Sequence, residues 1–258
     1  MDLRRIRGTA EIRHDPIAPL THVDRSTQTT ERELMSESMS TTLLNASLPI
    51  REQILAHPFV RGIGDGTLPR LPFVHYIRQD YLYLIEYSRV LALGIVRAHD
   101  LEIMELFAEL VHATLHSEME LHRGYCERLG ISRRELDQTP VAPTTHAYTR
   151  HLLAIAHGGT IAELMASLLP CQWGYLEIGE ALHAQGLPTQ EPLYAEWIEM
   201  YSGSEYRELA ERLRATFDRV AARASTDEIS RIHDIFLISS RYEYAFWDAA
   251  LKLEAWPV

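Results

Sequence analysis

Leu71-Pro72-Phe73-Val74-His75-Tyr76-Ile77-Arg78-Gln79-Asp80-Tyr81-Leu82-Tyr83-Leu84-Ile85-Glu86-Tyr87 is the run whose reading sets the fold class. Phe73, Tyr76/Ile77, Asp80, Tyr83/Leu84, Tyr87 and, beyond the run, Leu91 recur every three or four residues, which puts them on one face of a helix. The same period continues outward in both directions. It predicts helices over about 71–97, 101–129, 143–157, 160–185, 190–201, 203–223 and 226–254. Leu44, Leu48, Ile50, Ile54 and Leu55 make a shorter amphipathic segment upstream, followed by a turn-rich stretch from Gly62 to Pro69. Capping boxes are expected at Ser132/Glu135, Thr160/Glu163, Ser202/Glu205 and Ser225/Glu228, where a hydroxyl and a carboxylate can satisfy two free N–H groups reciprocally. No long period-2 alternation appears, and no Asn-Gly or Asp-Gly hairpin separates two such runs. The expectation is an all-α chain with one domain over residues 41–258.

The 258 residues can bury a sizeable core, and their composition, 46% hydrophobic and 24% charged, is that of a globular protein. A net charge of -11 argues against non-specific nucleic-acid binding, which needs clustered Lys and Arg. Apolar runs such as Val90 to Val96 fall far short of the ~20 residues that a membrane span requires. Residues 1 to about 40 mix Arg, Thr and Asp without sustained periodicity. They read as a disordered leader or as a start placed upstream of Met35 or Met39. Cys126 and Cys171, the two cysteines, form no CxxC or Cys/His metal spacing and suit a reducing cytosol.

Polar residues on the buried stripes carry the chemical information. Asp80 has phenols at i−4 and i+3, so it either braces a neighbouring helix through a hydroxyl or serves a site. Glu243 lies on the stripe Ile229, Ile232, Ile235/Phe236, Ser239/Ser240, Glu243, Phe246/Trp247. It is either satisfied by a distant Arg or desolvated enough to donate a proton near neutrality. Cys171 follows Pro170 inside the 160–185 helix, where a proline removes one backbone bond and kinks the chain. A buried free thiol is commonly an inert apolar side chain, a reading that suits Cys126. A nucleophilic thiol needs a site that stabilises thiolate and a donor for the leaving group, which Asp80, Glu243 and several tyrosines are placed to supply.

One arrangement competes. Glu118 and His122 stand at i and i+4, a spacing that can chelate a metal from one helical face, with His112 and His183 as further candidates. No repeated Glu-x-x-His pattern supports it. The Gly62–Gly66 run lacks the Gly-Lys-Ser/Thr ending and preceding strand of a phosphate loop, and the charges from Arg207 to Arg214 read as a solvated face.

Four motifs, in order, resemble the TenA/thiaminase II family. They are His57-Pro58-Phe59-Val60-Arg61-Gly62-Ile63-Gly64-Asp65-Gly66-Thr67-Leu68-Pro69, Gln79-Asp80-Tyr81-Leu82-Tyr83-Leu84, Leu169-Pro170-Cys171-Gln172-Trp173-Gly174-Tyr175 and Tyr242-Glu243-Tyr244-Ala245-Phe246-Trp247. The resemblance spans about residues 45–254. It implies a haem-oxygenase-like helical bundle that uses no haem, metal or other cofactor and assembles as a cytoplasmic homotetramer. It further implies hydrolysis of 4-amino-5-aminomethyl-2-methylpyrimidine, thiamine or both to the hydroxymethylpyrimidine used in thiamine salvage. By position, Cys171 is similar to the family nucleophile, Glu243 to its proton donor and Tyr83 to the phenol that makes the thiol more nucleophilic. Asp80 matches the carboxylate on the pyrimidine nitrogen edge, Tyr175 and Tyr201 match substrate-contacting phenols, and Tyr148 matches a further pocket aromatic. Gln172, Gly174 and Arg241 depart from residues common in relatives and bear on the pocket rim. The rival expectations are a metal- or cofactor-dependent oxygenase on the same scaffold and a non-catalytic pyrimidine-binding regulator.

Overall fold

In the computed structural model, which describes residues 37–258, the helix starts follow from local chemistry. Pro58, Pro143 and Pro192 each occupy a first turn, where a missing N–H costs nothing. Thr160 and Ser132 close full capping boxes with Glu163 and Glu135. The helices are α1 (Met39–Leu55), α2 (Pro58–Asp65), α3 (Arg70–Arg97), α4 (Leu101–Ala113), a π-helical turn (Thr114–Glu118) and α5 (Met119–Leu129). They continue as α6 (Arg133–Asp137), α7 (Pro143–Gly158), α8 (Ile161–Gln185), α9 (Pro192–Ser202), α10 (Ser204–Ala221) and α11 (Thr226–Lys252). No strand occurs among the described residues. Ser38–Val258 forms one compact unit; the expected leader lies, up to residue 36, outside the described residues.

Helix α8 is the central pillar. Its first ten residues, Ile161–Pro170, are buried on every side, the pattern of a helix enclosed by others. It packs against α7, α9, α10 and α11, while α3 packs against α4, α5, α7 and α11. Helix α8 runs unbroken across Pro170. Gly179 lets α8 approach the end of α9, since a Cβ there would lie 2.6 Å from the Tyr201 carbonyl carbon. Gln79 clamps the chain entering α7, donating to the Pro140 carbonyl and accepting from the Ala142 N–H, both at 2.9 Å. None of the described helices is long and apolar enough to cross a membrane.

Three local expectations need correction. The glycine-rich stretch from Gly62 is helical to Asp65, because His57 caps it and Pro58 starts it. Gly66, with φ 75°, ends it in the left-handed conformation. The helix expected over 101–129 is continuous over those residues but not regular, since it passes through the π-helical turn at Thr114–Glu118. Ser202 and Glu205 form no capping box: Ser202 ends α9 and its hydroxyl donates to the Ile198 carbonyl at 2.7 Å, leaving Gly203 as the cap of α10. At Ser225 the hydroxyl accepts from the Glu228 N–H.

Candidate active site

Successive turns of α3 present Asp80, Tyr83 and Tyr87 inward, all buried. Facing helices complete a chamber with Tyr148 from α7, Cys171 and Tyr175 from α8, Tyr201 from α9 and Glu243 from α11. Aromatic faces supply most of its walls. The Tyr83 ring lies 5.5 Å from Tyr87, 5.2 Å from Tyr148 and 5.8 Å from Phe246. Tyr175 lies 4.8 Å from Tyr201 and 5.2 Å from Trp247, which itself stacks on Tyr76. Such a chamber suits a flat heteroaromatic ring.

The titratable groups are set apart by burial. The Tyr148 hydroxyl donates to Glu243 Oε1, yet desolvation outweighs that bond, and repulsion from Asp80 adds to it; Glu243 is pushed up to about 8. Near neutrality its carboxyl therefore holds a proton. Burial also raises the Cys171 thiol well above its ordinary value, with Glu243 repulsion adding and the Tyr83 phenol opposing. The Tyr83 hydroxyl has no well-formed hydrogen bond of its own. Although Cys171 lies deep within the packed helices, it keeps accessible surface, so it borders an internal opening. Cys126 is a buried thiol on α5 raised to about 11 by desolvation.

Asp80 has a partner that the sequence reading placed elsewhere. His122 Nδ1 points at the Glu118 carbonyl oxygen at 2.8 Å, and Nε2 lies 2.6 Å from Asp80 Oδ2. That second approach is short but off the N–H line, and both atoms lack a well-aligned hydrogen bond. Both ring nitrogens thus face acceptors, which favours the imidazolium form. Burial opposes that charge, but hydrogen bonding to Asp80 and the charge of Asp80 prevail and raise His122. Glu118 meets the imidazole through its backbone carbonyl, so this contact is not the side-chain chelate that the spacing suggests. His112 and His116 stack on each other at 4.2 Å on the exposed side, and His183 is also exposed. Among the described residues no group of three His, Cys, Asp or Glu side chains is placed to hold a metal.

The structure therefore brings together Asp80, Tyr83, Tyr148, Cys171, Tyr175, Tyr201 and Glu243 from five helices. It adds four residues the sequence reading did not assign to a pyrimidine site. Tyr87 donates to Gln172 Oε1 at 3.3 Å, tying α3 to the residue after the cysteine. Glu118, at the end of the π-helical turn, is pushed up to about 7 by burial and by Asp80, against His122, Thr114 and Tyr201. Tyr206 stands edge-on to Tyr201 at 5.1 Å. His122 is the fourth, and its i+4 spacing to Glu118 had pointed instead to metal. Of the departing residues, Gln172 is buried in the wall, Gly174 borders a small cavity beside Glu243, and Arg241 is exposed.

Comparison with known proteins places this chain in a family. An aminopyrimidine aminohydrolase from Halalkalibacterium halodurans is 44% identical over 221 residues, 85% of this chain and 98% of that protein. A TenA homologue from P. horikoshii superposes with a TM-score of 0.77 at 31% identity, covering 84% of this chain and 99% of the other. A domain with a heme oxygenase-like fold from Shewanella denitrificans shares the architecture alone, with a TM-score of 0.59 at 15% identity over 90% of this chain and 94% of its own. The TENA/THI-4/PQQC family model matches residues 45–253, and the chain belongs to that family.

Proposed function

We propose that this chain hydrolyses 4-amino-5-aminomethyl-2-methylpyrimidine, thiamine or both to 4-amino-5-hydroxymethyl-2-methylpyrimidine, a step of thiamine salvage. The observation that carries the reading is the pairing of Cys171 with a protonated Glu243 in one aromatic chamber, in a chain 44% identical to an enzyme named for such a reaction.

Cys171 rests as a thiol. A thiazolium, or an aminomethyl group that has taken the Glu243 proton, seated beside it offsets the burial and carboxyl repulsion that hold the proton, and the thiol proton leaves to solvent. The thiolate adds its electron pair to the electron-poor ring next to the carbon bearing the substituted methylene. Ring electrons move toward that methylene and the exocyclic C–N bond breaks, its pair staying on nitrogen. An amine leaves after taking the Glu243 proton; a thiazolium leaves as neutral thiazole without one. Water then bonds to the methylene carbon, its proton passing to Glu243 in the first case and to solvent in the second. The carbon–sulfur bond breaks and returns the thiolate, so one hard substitution becomes two easier steps.

The remaining roles follow from position. Asp80, held by His122, receives the nitrogen edge of the pyrimidine as charge develops there. Tyr83 favours the thiolate, Tyr148 fixes the acid, and Tyr175 and Tyr201 pack the ring. The same resemblance supports a homotetramer in the cytosol, which light scattering tests as four times the 29.6 kDa chain mass. The decisive assay incubates purified protein with each compound and follows hydroxymethylpyrimidine by chromatography. Cys171→Ala should form none, and full turnover by that variant overturns the mechanism.

A further inference from the structure

Two cavities adjoin the chamber, and their sizes differ tenfold. Beside Glu243 lies a cavity of about 30 Å³, room for a water or an ammonia molecule. A second pocket, lined in part by Glu118 and Gln172, has about 330 Å³, within the roughly 300–1,000 Å³ range of small-molecule sites. Tyr206, Met200 and Leu209 give this pocket an apolar and aromatic lining, and Glu118, Glu199 and Glu205 give it three carboxyl groups; no Lys, Arg or His lines it. Gln172, only 4% exposed, accepts from Tyr87 with its carbonyl oxygen and leaves its amide nitrogen unpaired on the pocket wall. The wall is shared with the reacting centre, since Gln172 follows Cys171 and the Glu118 charge acts on the Cys171 thiol.

We infer that this pocket seats the leaving half of the substrate and is built for a bulky, cationic heteroaromatic ring carrying a hydroxyl side chain, of which the thiazolium of thiamine is the example. The inference rests on the aminopyrimidine hydrolase reading and adds a specificity to it. An apolar and aromatic lining with acidic groups suits a delocalised cation, and the free Gln172 amide suits a hydroxyl oxygen. A departing ammonia uses none of this room. While the thiolate adds to the pyrimidine the thiazolium keeps its positive charge, so the carboxyl groups bind the ground state and that transition state alike. Their contribution belongs to KM rather than kcat.

The test uses the full chain with thiamine and with 4-amino-5-aminomethyl-2-methylpyrimidine. Glu205→Lys reverses an exposed charge at the pocket, and Leu209→Trp fills it. Either variant should raise KM for thiamine at least tenfold with kcat held within threefold, and should shift the ratio of the two kcat/KM values at least tenfold toward the aminomethyl compound. Thermal unfolding midpoints confirm that both variants fold. A ratio unchanged within twofold in both variants overturns the assignment, as does a wild type that hydrolyses the aminomethyl compound and leaves thiamine intact. Wild-type protein inactive on both compounds refutes the hydrolase reading itself.

Discussion

Replacing Glu243 with glutamine should stabilise the protein at alkaline pH. The side chain is buried and its carboxyl is pushed from 4.5 up to about 8, so between those values the folded chain holds a proton that the unfolded chain releases. Stability therefore falls as pH rises from about 4.5 to about 8 and then levels, because the unfolded state binds fewer protons across that window. At 1.36 kcal/mol per pH unit the full displacement costs about 5 kcal/mol, and relaxation of the surroundings on ionisation reduces it toward about 2 kcal/mol. Glutamine keeps an oxygen to accept from Tyr148 and removes the titration. Wild type and Glu243→Gln should match near pH 5, and the variant should exceed wild type by about 2–5 kcal/mol at pH 9. For a chain of this size that corresponds to roughly 4–20 °C in melting midpoint. Thermal unfolding followed by circular dichroism at half-unit pH steps reads the difference directly. Parallel pH profiles for the two proteins would refute the argument that burial holds this carboxyl protonated.

The acid role of Glu243 predicts that kcat for the aminomethylpyrimidine declines as pH rises through about 8, since the donor is lost there; a pH–rate profile flat to pH 10 contradicts it. Asp80→Asn strands the His122 charge in the interior and should cost about 3–5 kcal/mol, read by urea unfolding. Adding His122→Gln should recover at least about half of that loss, and no recovery would show that the pair does not act as a unit. Gly179→Ala pushes a methyl into the backbone at Tyr201 and should cost about 1–3 kcal/mol, with KM for the pyrimidine raised more than kcat is lowered. An unchanged melting midpoint counts against that close approach.

The stripe through Asp80, Tyr83 and Tyr87 was legible because all three share one helix face, and helix geometry relates residues three and four apart. The boxes at Ser132 and Thr160 were legible for the same local reason. What was not legible depends on contacts between distant segments. His122 could be matched only with Glu118 from spacing, whereas its partner, Asp80, comes from another helix. Tyr87 and Gln172 meet across α3 and α8, and nothing within either helix announces the bond. Ser202 had the residue types of a cap, but the preceding helix took its hydroxyl first.

The π-helical turn works as a phase shifter. Buried positions run Ile103, Leu106/Phe107, Leu110, Thr114 at steps of three and four, then jump five to Met119 before resuming at His122 and Tyr125/Cys126. An uninterrupted α-helix would need one residue fewer to keep the same surface in register, because each residue turns the helix by about 100°. Deleting any one of residues 114–118 would turn the step of five into a step of four and leave both flanks facing as they do, whereas deleting a residue from α4 or α5 would swing one side of the junction about 100° against the other. A one-residue gap at this point in an alignment of relatives is thus no change of architecture: positions on either side of it that look equivalent by letter face the same walls.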